Sequence, residues 1–225
     1  MQWAPHRAAH FTKKQNRVYW SYLKKQRVIA MKKHLFLCGP AGCGKSRLLR
    51  EELGPALAMA GGYVTEASRD ESGKITGVDL LPAAAAGGIE GFEALRFLDM
   101  TCVPPKRDNE VFRGPAAQLL QEAEYYPFSV IDEFGGFEMV IPQYRQQLAA
   151  FLSSDQPCVG VLKTVEEAQK ARDLFGLGEK YTMLIQNLHQ VLAQDSDTVL
   201  LKTSGCGDET ARRILRQWIK EFVNG

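Results

Sequence analysis

These 225 residues contain no apolar run approaching the roughly 18 that a membrane helix needs. Nor does a hydrophobic segment follow the basic start, as a secretory signal requires. The five cysteines, Cys38, Cys43, Cys102, Cys158 and Cys206, are an odd set without a CxxC pair and without histidine at zinc-ligand spacing, so they read as reduced thiols. There is no internal repeat. Net charge is also nearly absent, at +2, which is too small to argue for a nucleic-acid partner. What remains is the profile of a cytoplasmic, monomeric enzyme with no membrane partner.

One further absence is local. Residues 1–33 hold no Asp or Glu but carry Arg7, Lys13, Lys14, Arg17, Lys24, Lys25, Arg27, Lys32 and Lys33. From Phe11 to Ala30 these cations interleave with Phe11, Tyr19, Trp20 and Tyr22, which suits stacking on an anionic strand. The competing reading takes Met31 as the natural start and the upstream residues as a translated extension. On that reading residues 1–32 are a basic extension and residues 33–225 are the folded domain. With 45% hydrophobic and 24% charged residues, the chain has the composition of a globular protein with a sizeable core.

The apolar run Leu35 to Cys38 stops at glycine and reads as a strand buried on both faces. Leu48, Leu49 and Leu53 then follow at helical spacing, with Gly54-Pro55 ending that helix. Residues 62–81 read as a hairpin turning at Asp70 to Gly73. Pro82 to Gly88 and Val103 to Asn109 read as loops, and the stretch between them gives no clear pattern. Pro115 to Tyr125 has helical spacing and leads into the apolar strand Phe128 to Ile131. A helix through Tyr144 to Leu152, a strand at Cys158 to Leu162, a helix at Val165 to Leu174 and a strand at Val199 to Leu201 follow. Asp208 caps a last helix with Ile214, Leu215, Trp218, Ile219 and Phe222 on its buried stripe and a solvated basic face of Arg212, Arg213, Arg216 and Lys220. Such alternation predicts an α/β protein with a mainly parallel sheet, helices on both faces and a β-hairpin after the first helix.

Gly39-Pro40-Ala41-Gly42-Cys43-Gly44-Lys45-Ser46 matches GxxxxGK[ST] in full and lies between the first strand and the first helix, where a phosphate-binding loop belongs. Glycines there let main-chain N–H groups close around phosphates, and the positive end of the helix adds to the attraction. Lys45 is the candidate for the outer phosphates, Ser46 offers a hydroxyl to Mg²⁺, and Arg47 completes the loop. The strand Phe128 to Ile131 ends in Asp132-Glu133, the shape of a Walker B segment. Asp132 is the Mg²⁺ candidate and Glu133 the candidate base or water-orienting group. Taken alone, two acids after a strand are usually a solvated turn; the loop upstream reverses that judgement.

With these residues in hand, the chain resembles the small P-loop nucleoside-triphosphatase family, whose members hydrolyse a nucleoside triphosphate to diphosphate and phosphate and are nucleotide-kinase-like. Three blocks carry the likeness: Gly39 to Ser46; Gly62-Tyr63-Val64-Thr65-Glu66 leading to Arg69; and Val130 to Met139, which is similar to the family's hydrophobic-D-E-hydrophobic-G-x-M-E-L. Phe137 and Met139 stand where that pattern has Met and Leu, and both changes stay apolar. The likeness spans roughly residues 33–163 and fades in the C-terminal third. It implies a three-layer P-loop fold, a nucleoside triphosphate as substrate, Mg²⁺ as cofactor, and Lys45, Ser46, Asp132 and Glu133 as active residues. It makes Arg69, to neutralise charge on the transferred phosphoryl, and Glu138 further candidates.

Two other functions use the same cradle: a nucleotide or small-molecule kinase, and a nucleotide-switched binding module. No arginine-rich lid favours the kinase, and only the basic start favours the module. His189 reads as a packed or exposed helix residue, Cys206 as a turn residue, and Cys43 as an oxidation-sensitive loop thiol at a helix N-terminus.

Overall fold

The computed structural model of the protein describes residues 31–224. The basic, aromatic start from Phe11 to Ala30 lies outside the described residues, and its reading as an anionic-strand contact with it. Eight strands form one sheet: β1 His34–Cys38, β2 Ala60–Arg69, β3 Ile75–Pro82, β4 Leu95–Asp99, β5 Lys106–Arg107, β6 Phe128–Phe134, β7 Cys158–Leu162 and β8 Thr198–Lys202, in the order β5-β4-β3-β2-β6-β7-β1-β8. Pairings from β2 through β8 across that order are parallel, whereas β3, β4 and β5 extend the sheet by antiparallel hairpins. The helices are α1 Lys45–Leu53, α2 Ala83–Ala86, α3 Glu110–Arg113, α4 Pro115–Gln121, α5 Pro142–Leu152, α6 Val165–Phe175, α7 Glu179–Gln194 and α8 Glu209–Phe222. None of the helices among the described residues is long and apolar enough to cross a membrane.

Strand alternation explains the three layers, because successive side chains leave a strand on opposite faces. Phe36, Ile131, Cys158 and Leu162 join one cluster with Tyr144 and Leu148 of α5 and Tyr181 and Ile185 of α7. Leu35, Leu37, Phe128, Val130, Val159 and Val161 alternate with them and are fully buried on the other face. That face meets α1 and α8, where Trp218 stands edge-on to Phe128 at 6.3 Å between ring centroids. Burying strands on both faces is what makes their runs largely apolar in the sequence.

Several expectations change on contact with the structure. Pro82 to Gly88, expected as a loop, contains the short helix α2, and the Val103 to Asn109 loop contains the two-residue strand β5. The unpatterned stretch between them holds β4, whose five residues lean on β3 for their pairing rather than on a periodic signal of their own. The basic face of α8 is not simply solvated. Arg212 and Arg216 both clasp Glu52 of α1, a side chain only 6% exposed, and Arg212 also meets Glu51 at 3.2 Å. These ion pairs tie the last helix to the helix that follows the glycine-rich loop.

Candidate active site

The loop from Gly39 to Ser46 leaves the end of β1 and enters α1 at Lys45. Gly42 and Gly44 have φ of 73° and 92°, left-handed values that side chains resist, so the curl depends on glycine. The first-turn amides of α1 have no intrahelical partner and are available to an anion. The loop is buttressed from behind. A Cβ on Gly39 would lie 2.2 Å from the Thr203 carbonyl oxygen, and one on Gly205 would lie 1.7 Å from the Cys43 carbonyl oxygen. Cys206 belongs to this buttress: its amide donates to Cys43 at 3.3 Å and its thiol to the Gly44 carbonyl at 3.2 Å.

Lys45 is nearly buried, and its ammonium donates to the Gly39 and Pro40 carbonyls at 2.7 and 2.9 Å and to Glu167 at 3.2 Å. Glu167 sits in the first turn of α6, where it forms a capping box with Thr164: its carboxylate accepts from the Thr164 amide at 2.6 Å and its own amide donates to the Thr164 hydroxyl at 3.2 Å. The Ser46 hydroxyl donates to Asp132 Oδ1 at 2.7 Å, joining residues 86 positions apart. Arg47 pairs with Glu51 one turn along α1 at 2.7 Å and remains exposed.

Asp132 is 0% exposed. Burial, with the Glu133 charge second, pushes its pKa up to about 6, against opposition from the Ser46 hydroxyl and the Arg50 guanidinium. Arg50 approaches Asp132 Oδ2 at 3.7 Å and also pairs with Glu66 at 2.9 Å. Glu133 is half-exposed and carries a φ of 60°, the one positive value outside glycine among the described residues. Such a conformation costs about 1–2 kcal/mol in a residue with a Cβ. It accompanies a bulge: between the pairs Ile131–Gly160 and Phe134–Leu162, β6 takes one residue more than β7. In a regular strand Asp132 and Glu133 would leave on opposite faces; the bulge breaks that alternation at the strand end. The Lys163 ammonium, 3.2 Å from Glu133, holds the Glu133 carboxyl below its ordinary pKa. Glu138 is buried, and burial raises its pKa; its carboxylate accepts from the Gly136 amide at 2.6 Å, closing its own turn.

The structure therefore brings Lys45, Ser46, Asp132 and Glu133 to one end of the sheet and leaves Arg69 elsewhere. Arg69 ends β2, and its guanidinium donates to the Gly73 carbonyl of the hairpin turn at 2.7 Å. It lies four residues beyond Thr65, whose amide is 3.5 Å from Asp132. At about 3.3 Å per residue that is roughly 13 Å along the strand. Glu167, Lys163, Arg50 and His189 were not singled out for the site from sequence. His189 lies 2.9 Å from the Lys163 carbonyl through Nε2. The T-x-x-E of Thr164 to Glu167 was a legible capping signal, but nothing local linked it to Lys45 across 122 positions.

Hard oxygen donors, one buried carboxylate and one hydroxyl bonded to it, suit Mg²⁺, which keeps several waters and takes few protein ligands. A dication beside Asp132 would also offset the burial that raises its pKa. Next to the loop opens a cleft of about 830 Å³, bordered by Gly39 to Ala41, by Glu167 and Lys170 of α6 and by Lys202 to Ser204 after β8.

A family profile described as NTPase matches residues 34–195 and so continues past residue 163, where the likeness read from the sequence fades. No curated protein matches the chain. Among solved structures, THEP1 from the hyperthermophile Aquifex aeolicus has 17% identity and a TM-score of 0.44, over 72% of this chain and 99% of that one. A human cancer-related nucleoside triphosphatase has 22% identity and a TM-score of 0.45, over 72% of this chain and 98% of that one.

Proposed function

The chain belongs to the NTPase family, matched over residues 34–195, and from that premise we propose that it is a Mg²⁺-dependent enzyme hydrolysing nucleoside triphosphates to diphosphate and phosphate. The observation that carries this reading is the 2.7 Å bond from Ser46 to Asp132, because it joins the phosphate loop to a buried acid with Glu133 beside it. The loop amides and Lys45 bind the triphosphate tail, which draws the ammonium from its carbonyl partners toward the outer phosphates. Ser46 and Asp132 hold Mg²⁺, whose charge, when bound, offsets that on the phosphate oxygens. The cleft beside Gly39 to Ala41 takes the nucleoside end, since its volume lies within the ordinary range of small-ligand sites.

Glu133 orients the attacking water and accepts its proton. The water oxygen bonds to the γ-phosphorus, and the β–γ bridging oxygen leaves with the diphosphate. Catalysis is mostly positioning and charge neutralisation, in which a fixed carboxylate replaces a mobile one. The five free cysteines suit the reducing cytoplasm as the place where this happens.

The test is phosphate release from a panel of nucleoside triphosphates, with and without Mg²⁺, for wild type, Lys45→Ala and Glu133→Gln. Lys45→Ala should lose at least about 100-fold in turnover, and Glu133→Gln should bind nucleotide normally while hydrolysing slowly. Wild-type turnover in Lys45→Ala would sink the reading. Label from the γ-phosphate accumulating on an acceptor faster than as free phosphate would replace it with a kinase.

A further inference from the structure

β7 lies between β1, which leads into the phosphate loop, and β6, which ends in Asp132 and Glu133. The residue leaving the end of β7 is therefore set between the two halves of the site by topology. That residue is Lys163. Its amide donates to the Phe134 carbonyl at 2.8 Å, which fastens the strand end just beyond the bulge. Its ammonium reaches Glu133 at 3.2 Å. Its carbonyl is held in turn by His189 of α7 at 2.9 Å. The aliphatic stem crosses Gly136, where a Cβ would come within 3.3 Å of Lys163 Cδ and Cε and 2.8 Å of a Glu138 carboxylate oxygen. The main chain at its base and the ammonium at its tip are thus fixed by neighbours on β6, on α7 and in the turn at Gly136.

Glu133 needs such a tether. Its left-handed φ directs a half-exposed carboxylate from a strand end, and among the described residues the one side-chain partner it has is Lys163. We propose that Lys163 is the positioning residue of the hydrolytic reaction, holding the Glu133 carboxylate in the orientation from which it addresses the attacking water. This rests on the role assigned above to Glu133. Lys163 acts through Glu133, unlike Lys45, whose partners are loop carbonyls and Glu167.

The experiment compares kcat and KM for wild type, Lys163→Met, Lys163→Gln, Lys163→Arg, Glu133→Gln and the Glu133→Gln/Lys163→Met pair, with thermal melts of each. Loss of the tether should lower kcat by about 100-fold, the scale of a misplacement of about 1 Å, with KM unchanged. Arginine, which keeps the charge and the reach, should restore most of that loss. The double variant should be no slower than Glu133→Gln alone, because both changes disable one unit. A raised KM with kcat retained in Lys163→Met and Lys163→Gln would overturn the proposal by making Lys163 a phosphate contact. So would wild-type kcat in both. If Glu133→Gln itself turns over at the wild-type rate, the reading of Glu133 fails; if Glu133→Gln is slow while both Lys163 variants are fast, only the tether fails. Should Lys163→Met not fold, Lys163→Gln and Gly136→Ala, which displaces the lysine stem, carry the same comparison.

Discussion

Replacing Asp132 by asparagine should stabilise the metal-free protein at alkaline pH and leave it almost unchanged in acid. The carboxyl is 0% exposed. Burial, with the Glu133 charge second, brings its pKa up to about 6. In the unfolded chain the same group titrates near 3.9. Between those values the folded chain keeps a proton that the unfolded chain has released, so this group's contribution to stability falls as pH rises through the window. The loss is complete above the folded value. At 1.36 kcal/mol per unit, a gap of roughly two units corresponds to about 3 kcal/mol.

Asparagine has nearly the same shape, keeps an acceptor for the Ser46 hydroxyl and carries no charge. The difference between variant and wild type therefore isolates Asp132 from carboxylates such as Asp79 and Asp208, which are held below their ordinary values and act in the opposite sense. The assay is urea denaturation followed by far-UV circular dichroism, in EDTA. From about pH 4 to about pH 8 the advantage of the variant should grow from near zero to about 3 kcal/mol. A difference that stays flat across that range, or a variant less stable than wild type at the alkaline end, would refute the account of Asp132 as an acid desolvated in readiness for a cation.

Two further outcomes follow from the geometry. Gly205→Ala should lower the melting temperature and weaken nucleotide binding together. Its Cβ would stand 1.7 Å from the Cys43 carbonyl oxygen at a φ of 100°, a distortion worth at least about 2 kcal/mol; a scanning-calorimetry trace matching wild type would show that the buttress behind the loop yields freely. Arg69→Ala should keep kcat within about twofold, as a surface change does, because the guanidinium caps its own hairpin turn; a hundredfold loss in steady-state phosphate release would return Arg69 to the reacting centre.

Much of the fold was legible because its signals are local. Leu35 to Cys38 is apolar on every residue, and Phe128 to Ile131 on all but the buried Ser129, since helices cover both faces of the sheet there. Asp208 was legible as a cap because a helix start is satisfied within three residues, here by the amide of Ala211 at 3.0 Å. β4 and β5 were not, because short strands of five and two residues owe their extension to the neighbours they pair with. The basic face of α8 was misjudged for the same kind of reason. Its partner Glu52 is 160 positions away from Arg212, and periodicity along one helix is silent about which other helix lies opposite.

The sequence by itself determined the glycine-rich loop between β1 and α1, the acidic end of β6 and the succession of strands and helices that sets both at one end of the sheet. Main-chain curl at glycine, helix entry and strand burial are all encoded within a few residues. Only the tertiary structure decided that Ser46 meets Asp132, that Lys45 rests on Glu167, that Lys163 grips Glu133 from the intervening strand and that Arg69 stands apart. Each of those contacts depends on strand order and on a one-residue bulge, and a shift of one residue in a strand turns a side chain to the opposite face. Local preference chooses the elements; the pairing of distant segments chooses which charges meet.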